Sequence, residues 1–325
     1  MGARKRVSPL RRVQSLLART LCGLTRILPL PVARALGGAL SRAALALIPR
    51  MRRIGMENLD VVFGDTLDRG EKEALLREAA ENLGLVAAEF SRIPLVTAKG
   101  EGSLFEVRGL ENIDRSRGGI FLSAHIGNWE WLAPAGAAVG LKTLIVVRGF
   151  DDPVMDQAVD AIRRVPGVET VDKHSALPAL VTAVKEGRYA GILADQNPRE
   201  NGIPSVFFGR ETWSTIGPAM LARRAKCPVY PVSMTRELGG RYVLEFFPPV
   251  EMARDEDPLR ELQENTQRCQ NALEEMILRR PGQWLWFHRR WRSRGRHELE
   301  WAERWDRKSE HVRAVETGSP AVPKD

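Results

Sequence analysis

The chain has 325 residues, 43% hydrophobic and 28% charged, which suits one large domain or two small ones with a real core and excludes a disordered protein. Its three cysteines, Cys22, Cys227 and Cys269, lie far apart with no CxxC pair and no companion histidines. That argues against a disulfide framework and against a cysteine zinc site, and no metal site is expected. The net charge of +8 is unevenly spread: residues 1–53 carry twelve Lys/Arg and no Asp/Glu, and the rest carry 37 basic against 41 acidic side chains. Such an asymmetry points to an anionic partner surface, either nucleic acid or membrane.

The basic arm, residues 1–53, is also rich in leucine. Arg12, Arg19 and Arg26 recur every seven residues and share one helix face, while Leu16, Leu17, Leu24 and Leu28 fall largely elsewhere. That amphipathic pattern suits a helix lying in an anionic membrane interface, and a nucleic-acid arm would not need so many leucines. The bland alternative is an amphipathic helix packed on its own domain. Pro29 and Pro31 interrupt the pattern, and a second helix is predicted from about Val32 to Ile48. No stretch reaches about 18 uncharged apolar residues, so a spanning helix is not expected; Arg19 and Arg26 also break the apolar centre of a signal peptide.

Residues 54–305 read as one domain. Glu71–Arg92 has a helical apolar pattern, and from Leu104 strands and helices alternate. The predicted strands are Leu104–Val107, Gly119–Ala124, Lys142–Val147, Val168–Val171, Tyr189–Ala194, Val229–Met234 and Tyr242–Phe247. The predicted helices are Asn128–Val139, Val154–Arg164, Leu177–Glu186, Ile216–Lys226 and Arg260–Arg279. Alternation of this kind predicts an α/β fold, a mixed and mostly parallel sheet flanked by helices, with the N-terminal helical arm attached. Residues 306–325 are expected to be a disordered tail.

The chemistry concentrates where the buried run Gly119–Ala124 ends in His125-Ile126-Gly127-Asn128-Trp129-Glu130. A histidine at the carboxyl end of a strand stands where α/β sheets place their ligand sites. Glu130, five residues on across a turn containing Gly127, is predicted to fold back onto one imidazole nitrogen and leave the other for substrate. A neutral histidine held by a carboxylate is a general base for a hydroxyl. No GxSxG elbow occurs, so the substrate's own hydroxyl is the expected nucleophile. Backbone N–H groups of Gly127 and Asn128, at a helix start, are expected oxyanion donors.

Four further residues stand at strand or helix ends. Arg148 ends the apolar run Leu144–Val147, where a guanidinium suits a phosphate; a surface ion pair would account for it equally. Arg164 ends a helix. Asp195 and Gln196 close the run Ala190–Ala194 and could contact sugar hydroxyls, hold the pocket or cap a turn. Phe207-Phe208-Gly209 read as a buried aromatic strand with a turn glycine, or as a wall for an acyl chain. The segment from Trp284 onward interleaves tryptophan and arginine, as a membrane-interface belt does, or as a capping segment packed on the domain does.

The string HxGNWE resembles the HxxxxD/E signature of glycerolipid-type acyltransferases, and specifically the form found in the lipid A biosynthesis acyltransferases. Other segments resemble that family in the same order: Met56-Glu57-Asn58-Leu59 with Val61-Val62-Phe63, Val107–Asn112, Val147-Arg148, Arg164 with Gly167, Ala194–Asn197, Val206–Arg210, Gly217–Ala219 with Leu221–Arg223, and Trp284–Trp291. The resemblance spans about Arg53 to Trp291. It implies membrane-associated transfer of a fatty acyl chain from an acyl thioester, on acyl carrier protein or coenzyme A, to a hydroxyl of a lipid A precursor or related glycolipid at the cytoplasmic face of the bacterial inner membrane. It implies His125 and Glu130 as catalytic residues, Arg148, Arg164, Asp195, Gln196, Gly127 and Asn128 as substrate contacts, and no cofactor beyond the thioester co-substrate. The rival readings are acylation of another lipid, such as a phosphoinositide mannoside or ornithine lipid, and a non-catalytic membrane scaffold.

Overall fold

The computed structural model describes residues 20, 23–99, 104–147, 152–172, 176–198, 202–237 and 239–292. Arg148, most of the first half of the arm and the expected tail lie outside these residues. After the helical residues 23–27 come α1 (Leu30–Leu47), α2 (Pro49–Phe63), α3 (Arg69–Glu89) and α4 (Ile93–Lys99). Nine strands follow, β1 (Phe105–Arg108), β2 (Gly119–Ser123), β3 (Thr143–Val147), β4 (Val168–Asp172), β5 (Tyr189–Leu193), β6 (Gly202–Phe207), β7 (Arg210–Thr215), β8 (Val229–Arg236) and β9 (Tyr242–Phe246). Interleaved with them are α5 (Trp129–Ala138), α6 (Pro153–Arg163), α7 (Ala176–Lys185), α8 (Gly217–Ala225) and α9 (Pro258–Arg279).

Seven strands form one sheet in the order β1-β9-β8-β2-β5-β3-β4. All pairs are parallel except β8 with β9, so the sheet is mixed and mostly parallel, as the alternation predicts. Every residue of β2 is buried, because a central strand covered on both faces cannot alternate. The chain leaves β2 toward β3 and β4, returns through β5, and later places β8 on the other side of β2. The sequence order therefore reverses around β2, and a crevice opens beyond the carboxyl ends of strands at such a switch.

β6 and β7 form a separate antiparallel hairpin. Its two-residue turn puts both Phe208 (φ 51°) and Gly209 (φ 71°) in the left-handed region, the geometry that matches strand twist in tight hairpins. Phe207 and Phe208 are thus the end of a strand and half of a turn, not a continuous strand.

α2 runs through residue 53, a helix the sequence reading did not separate from the arm. α1 packs antiparallel along α3. Gly37 and Gly84 meet at the crossing, where a Cβ on either would strike the other's carbonyl oxygen. Arg34 pairs with Glu89 at one end and Arg42 with Glu81 at the other. The opposite face of α1 is apolar and open: Leu40 is 60% and Leu47 79% exposed, with Val32 and Leu36 exposed beside them.

Candidate active site

Strand register brings the two principal side chains together. Ser123 of β2 pairs with Leu193 of β5, and the Ala194 N–H donates to the Ser123 carbonyl at 2.9 Å. Two residues further along each chain stand His125 and Asp195. Their side chains meet: His125 Nδ1 lies 2.8 Å from Asp195 Oδ1. Asp195 Oδ2 accepts the His125 backbone N–H at 3.0 Å and the Trp284 indole N–H at 2.8 Å.

Asp195 is buried. Burial alone would raise its pKa, but the charge and hydrogen bonds of His125, with the Trp284 donor, hold it down to about 2. Burial pushes His125 the other way, toward the neutral form; the charge and hydrogen bond of Asp195 outweigh that and leave its pKa above the ordinary value, with Glu130 adding less. An ionised acceptor at Nδ1 makes that nitrogen the N–H, so Nε2 carries the lone pair. The Trp129 ring meets the imidazole edge-on, with centroids 5.3 Å apart. The Gln196 amide nitrogen is 3.4 Å from both ring nitrogens.

Glu130 does not hold the imidazole. It is committed to a bidentate pair with Arg163, whose Nε and Nη2 donate to its two oxygens at 2.9 and 2.7 Å. The carboxylate that holds His125 is therefore Asp195, seventy residues away, and Glu130 acts at the site's edge through its charge. The reason is geometric: Glu130 sits in the first turn of α5 and its side chain turns toward the end of α6 and Arg163.

Arg164 is also corrected. It is exposed and pairs with Asp160 at 2.7 Å and Thr170; its neighbour Arg163 is the arginine that reaches the site. The expected oxyanion donors are engaged as well. The Gly127 N–H donates to the Gln283 carbonyl at 3.0 Å, and the Asn128 N–H to the Met234 carbonyl at 2.7 Å. Gly127 has φ 58°, and a Cβ there would strike Met234 O; only glycine fits this close approach. Asn128 caps α5, its Oδ1 accepting the Trp131 N–H at 3.2 Å.

The turn is clamped from the C-terminal side. Leu285 N–H donates to the His125 carbonyl at 2.9 Å, and Ile126 bridges Trp284. In the described part of this segment, Trp284 and Trp286 point inward: both are buried and pack with Phe207 and Phe63. Arg290 is buried too, donating to Trp213 O, Ser214 Oγ and Gln270 Oε1 and lying 4.5 Å over the Phe207 ring. Trp284, Trp286 and Arg290 are thus a capping segment, not an interface belt. Asn58 anchors that segment by donating to the Trp286 and His288 carbonyls. His288 Nε2 accepts the Asn197 N–H at 3.2 Å, and burial pushes its pKa down to about 4, so it stays neutral.

Among the described residues, no group of three or more His, Cys, Asp and Glu side chains is arranged to hold a metal. A groove of about 470 Å³ lies between Phe247–Val250 and α9, and none of the His125 site residues lines it.

A histidine held by a buried carboxylate stands at the carboxyl edge of a mostly parallel sheet, and the class of protein it belongs to is an O-acyltransferase. Comparison with known proteins makes the class specific. The family model of bacterial lipid A biosynthesis acyltransferases matches residues 1–293, and the chain belongs to that family. It is 24% identical over 274 residues to a lipid A biosynthesis lauroyltransferase of Escherichia coli, covering 82% of this chain and 87% of that protein. It is 25% identical over 277 residues to the E. coli lipid A biosynthesis palmitoleoyltransferase, with the same coverage. Among solved structures it resembles the 1-acyl-sn-glycerophosphate acyltransferase PlsC of Thermotoga maritima, with 16% identity, a TM-score of 0.35, and coverage of 79% of this chain and 99% of that one.

Proposed function

We propose that the chain transfers a fatty acyl group from a thioester, carried by acyl carrier protein or coenzyme A, to a hydroxyl of a lipid A precursor. The observation that supports this most directly is the His125–Asp195 contact at the carboxyl end of β2 in a chain of this family. His125 Nε2 removes the acceptor hydroxyl proton, and the oxygen attacks the thioester carbonyl. The tetrahedral oxyanion collapses, the thiolate leaves, and it takes the proton from His125. Asp195 keeps the ring in the productive tautomer and stabilises the imidazolium. A positioned base of this kind contributes roughly 10²–10⁴-fold.

Glu130 adds negative charge beside the imidazolium and fixes Arg163, whose guanidinium suits an acceptor phosphate or the thioester carrier's phosphate. The Gly127 and Asn128 amides are spent on Gln283 and Met234. The first N–H groups of a helix lack intrahelical partners, so the Trp129 and Glu130 amides are the next candidates for oxyanion donors. The thioester is a co-substrate, and the reaction needs no other cofactor.

Membrane attachment follows from α1. It has the length and composition of a spanning helix, with a mean hydropathy of 1.2 over Leu30–Leu47. Its ion pairs and glycine contact with α3 tie it lengthwise to the domain. A helix so tied lies in the interface with Leu36, Leu40 and Leu47 in the lipid, at the anionic cytoplasmic face of the bacterial inner membrane, where lipid acceptor and soluble donor meet. The test is purified protein with lauroyl-acyl carrier protein or lauroyl-coenzyme A and a lipid A precursor, read by mass spectrometry. An acceptor heavier by one acyl chain is expected, and no product with either donor would overturn the reading.

A further inference from the structure

Beneath the His125 turn lies a buried polar cluster that the catalytic pair does not use. Glu89 ends α3 and is fully buried. Its Oε1 accepts the Arg34 Nε–H at 2.5 Å. Its Oε2 accepts from the Asn128 side-chain amide at 2.7 Å and from the Tyr242 hydroxyl at 2.5 Å. Arg236 stands 3.8 Å from the same oxygen and donates to the Tyr242 hydroxyl and, at 3.4 Å, to Asn82 Oδ1. Asn82 in turn donates to the carbonyls of Gly127 and Gln283 at 2.9 and 3.0 Å. One carboxylate thus joins α1 to the cap of α5, and the same cluster holds the carbonyl of Gly127.

We propose that Arg34 and Glu89 are positioning residues for the 125–130 turn, so that the seating of the apolar helix α1 is transmitted to the catalytic base. Arg34, Gly37 and Arg42 lie along the face of α1 that meets Glu89, Gly84 and Glu81 of α3. If α1 lifts or slides, Arg34 leaves Glu89. The buried carboxylate then keeps the Asn128 amide and the Tyr242 hydroxyl as donors but has only the Arg236 guanidinium, at 3.8 Å, to balance its charge, and its hold on Asn128 loosens. Asn128 precedes Trp129, which packs on the imidazole, and Glu130, which holds Arg163. Gly127 cannot absorb the error, because its backbone already lies against Met234.

The kinetic readout rests on the acyl-transfer reading; a second readout does not. Arg34→Met, Arg34→Lys, Tyr242→Phe and the control Arg42→Met would be compared with wild type in micelles, using lauroyl-acyl carrier protein and a lipid A precursor. Arg34→Met should lower kcat about tenfold while donor KM stays within about twofold, since misplacement far from the chemistry acts on turnover. Arg34→Lys should recover most of the loss, Tyr242→Phe should fall between, and Arg42→Met, which loses only an exposed pair at the far end of α1, should lose less than any of them. In the same proteins, the low-field proton signal of His125 Nδ1–H against Asp195 should shift or broaden in Arg34→Met and Tyr242→Phe alone. If Arg34→Met does not fold, Tyr242→Phe decides. Wild-type turnover and an unmoved proton signal in both variants would overturn the proposal, as would an equal loss in Arg42→Met. If wild type transfers no acyl group, the acyl-transfer reading falls and the proton signal alone decides the positioning role.

Discussion

The turn 125–130 and the helix α1 are built on opposite terms. Around the turn, backbone groups are paired inside the protein: Gly127 and Asn128 with Gln283 and Met234, and the His125 carbonyl with Leu285. Its conformation is held from α3, β8 and the C-terminal segment at once, which suits the general-base role proposed for His125, because a small misplacement costs turnover. α1 is satisfied on one side only. It meets α3 through glycines and two ion pairs and leaves Leu36, Leu40 and Leu47 open. A side chain that finds no partner in its own fold is worth about 1.5–3 kcal/mol once another apolar phase buries it. The same chain therefore shows one region satisfied within its own fold and one whose outer apolar face is left open.

The comparison breaks first at His125. Replacing it with alanine should abolish transfer and leave the circular dichroism spectrum unchanged, since the ring is a base and not core filling; retention of more than about a tenth of activity would remove it from that role. Asp195→Asn comes next. The amide no longer fixes the tautomer or stabilises imidazolium, and a loss of about 10²-fold or more is expected. The sign of the pH effect follows from the opposing causes. Asp195 raises the His125 pKa against burial, so the acid limb of wild-type kcat/KM should lie above about 6.5. Without that charge, burial dominates and the limb should move to lower pH. A limb that stays in place would detach Asp195 from the base.

Glu130→Gln should cost less, about tenfold in kcat, because it loses the ion pair with Arg163 but leaves the His125–Asp195 contact intact. It should move the acid limb down less than Asp195→Asn does, and an equal shift would return Glu130 to the imidazole. The smallest effect sharpens the other half of the contrast. Serine at Leu36, Leu40 and Leu47 together should weaken binding to anionic vesicles severalfold, with binding at high salt affected most, since apolar burial is not screened. Turnover in micelles should stay near wild type. Unchanged vesicle binding would show that this face meets no membrane.

Much of this architecture was legible in the residues. The uninterrupted apolar run before His125 placed it on a buried strand end. The position of Ala194-Asp195 after a similar run marked the same rim. What misled was proximity in sequence. Glu130 is five residues from His125, and nothing local shows that the first turn of α5 sends its side chain to Arg163. Arg163 and Arg164 are adjacent and chemically identical, and only the end of α6 decides which faces the site. Arg290 carries the most polar side-chain type, and only the hairpin carbonyl and hydroxyls waiting for it explain why it is buried.

The sequence by itself determined the alternation from β1 to β5 and from α8 to α9, the α/β class, the histidine at the central strand end and the separation of a basic, leucine-rich arm from an acidic body. These are properties of periodicity and composition, which act within a dozen residues. The tertiary structure alone decided which carboxylate serves the base, which amides are spent, which face of α1 is covered, and that Glu89 and Arg34 meet under the turn. Those depend on register between strands far apart in the chain. A hydrogen bond is satisfied by whichever group the fold delivers within about 3 Å, not by the one nearest in sequence.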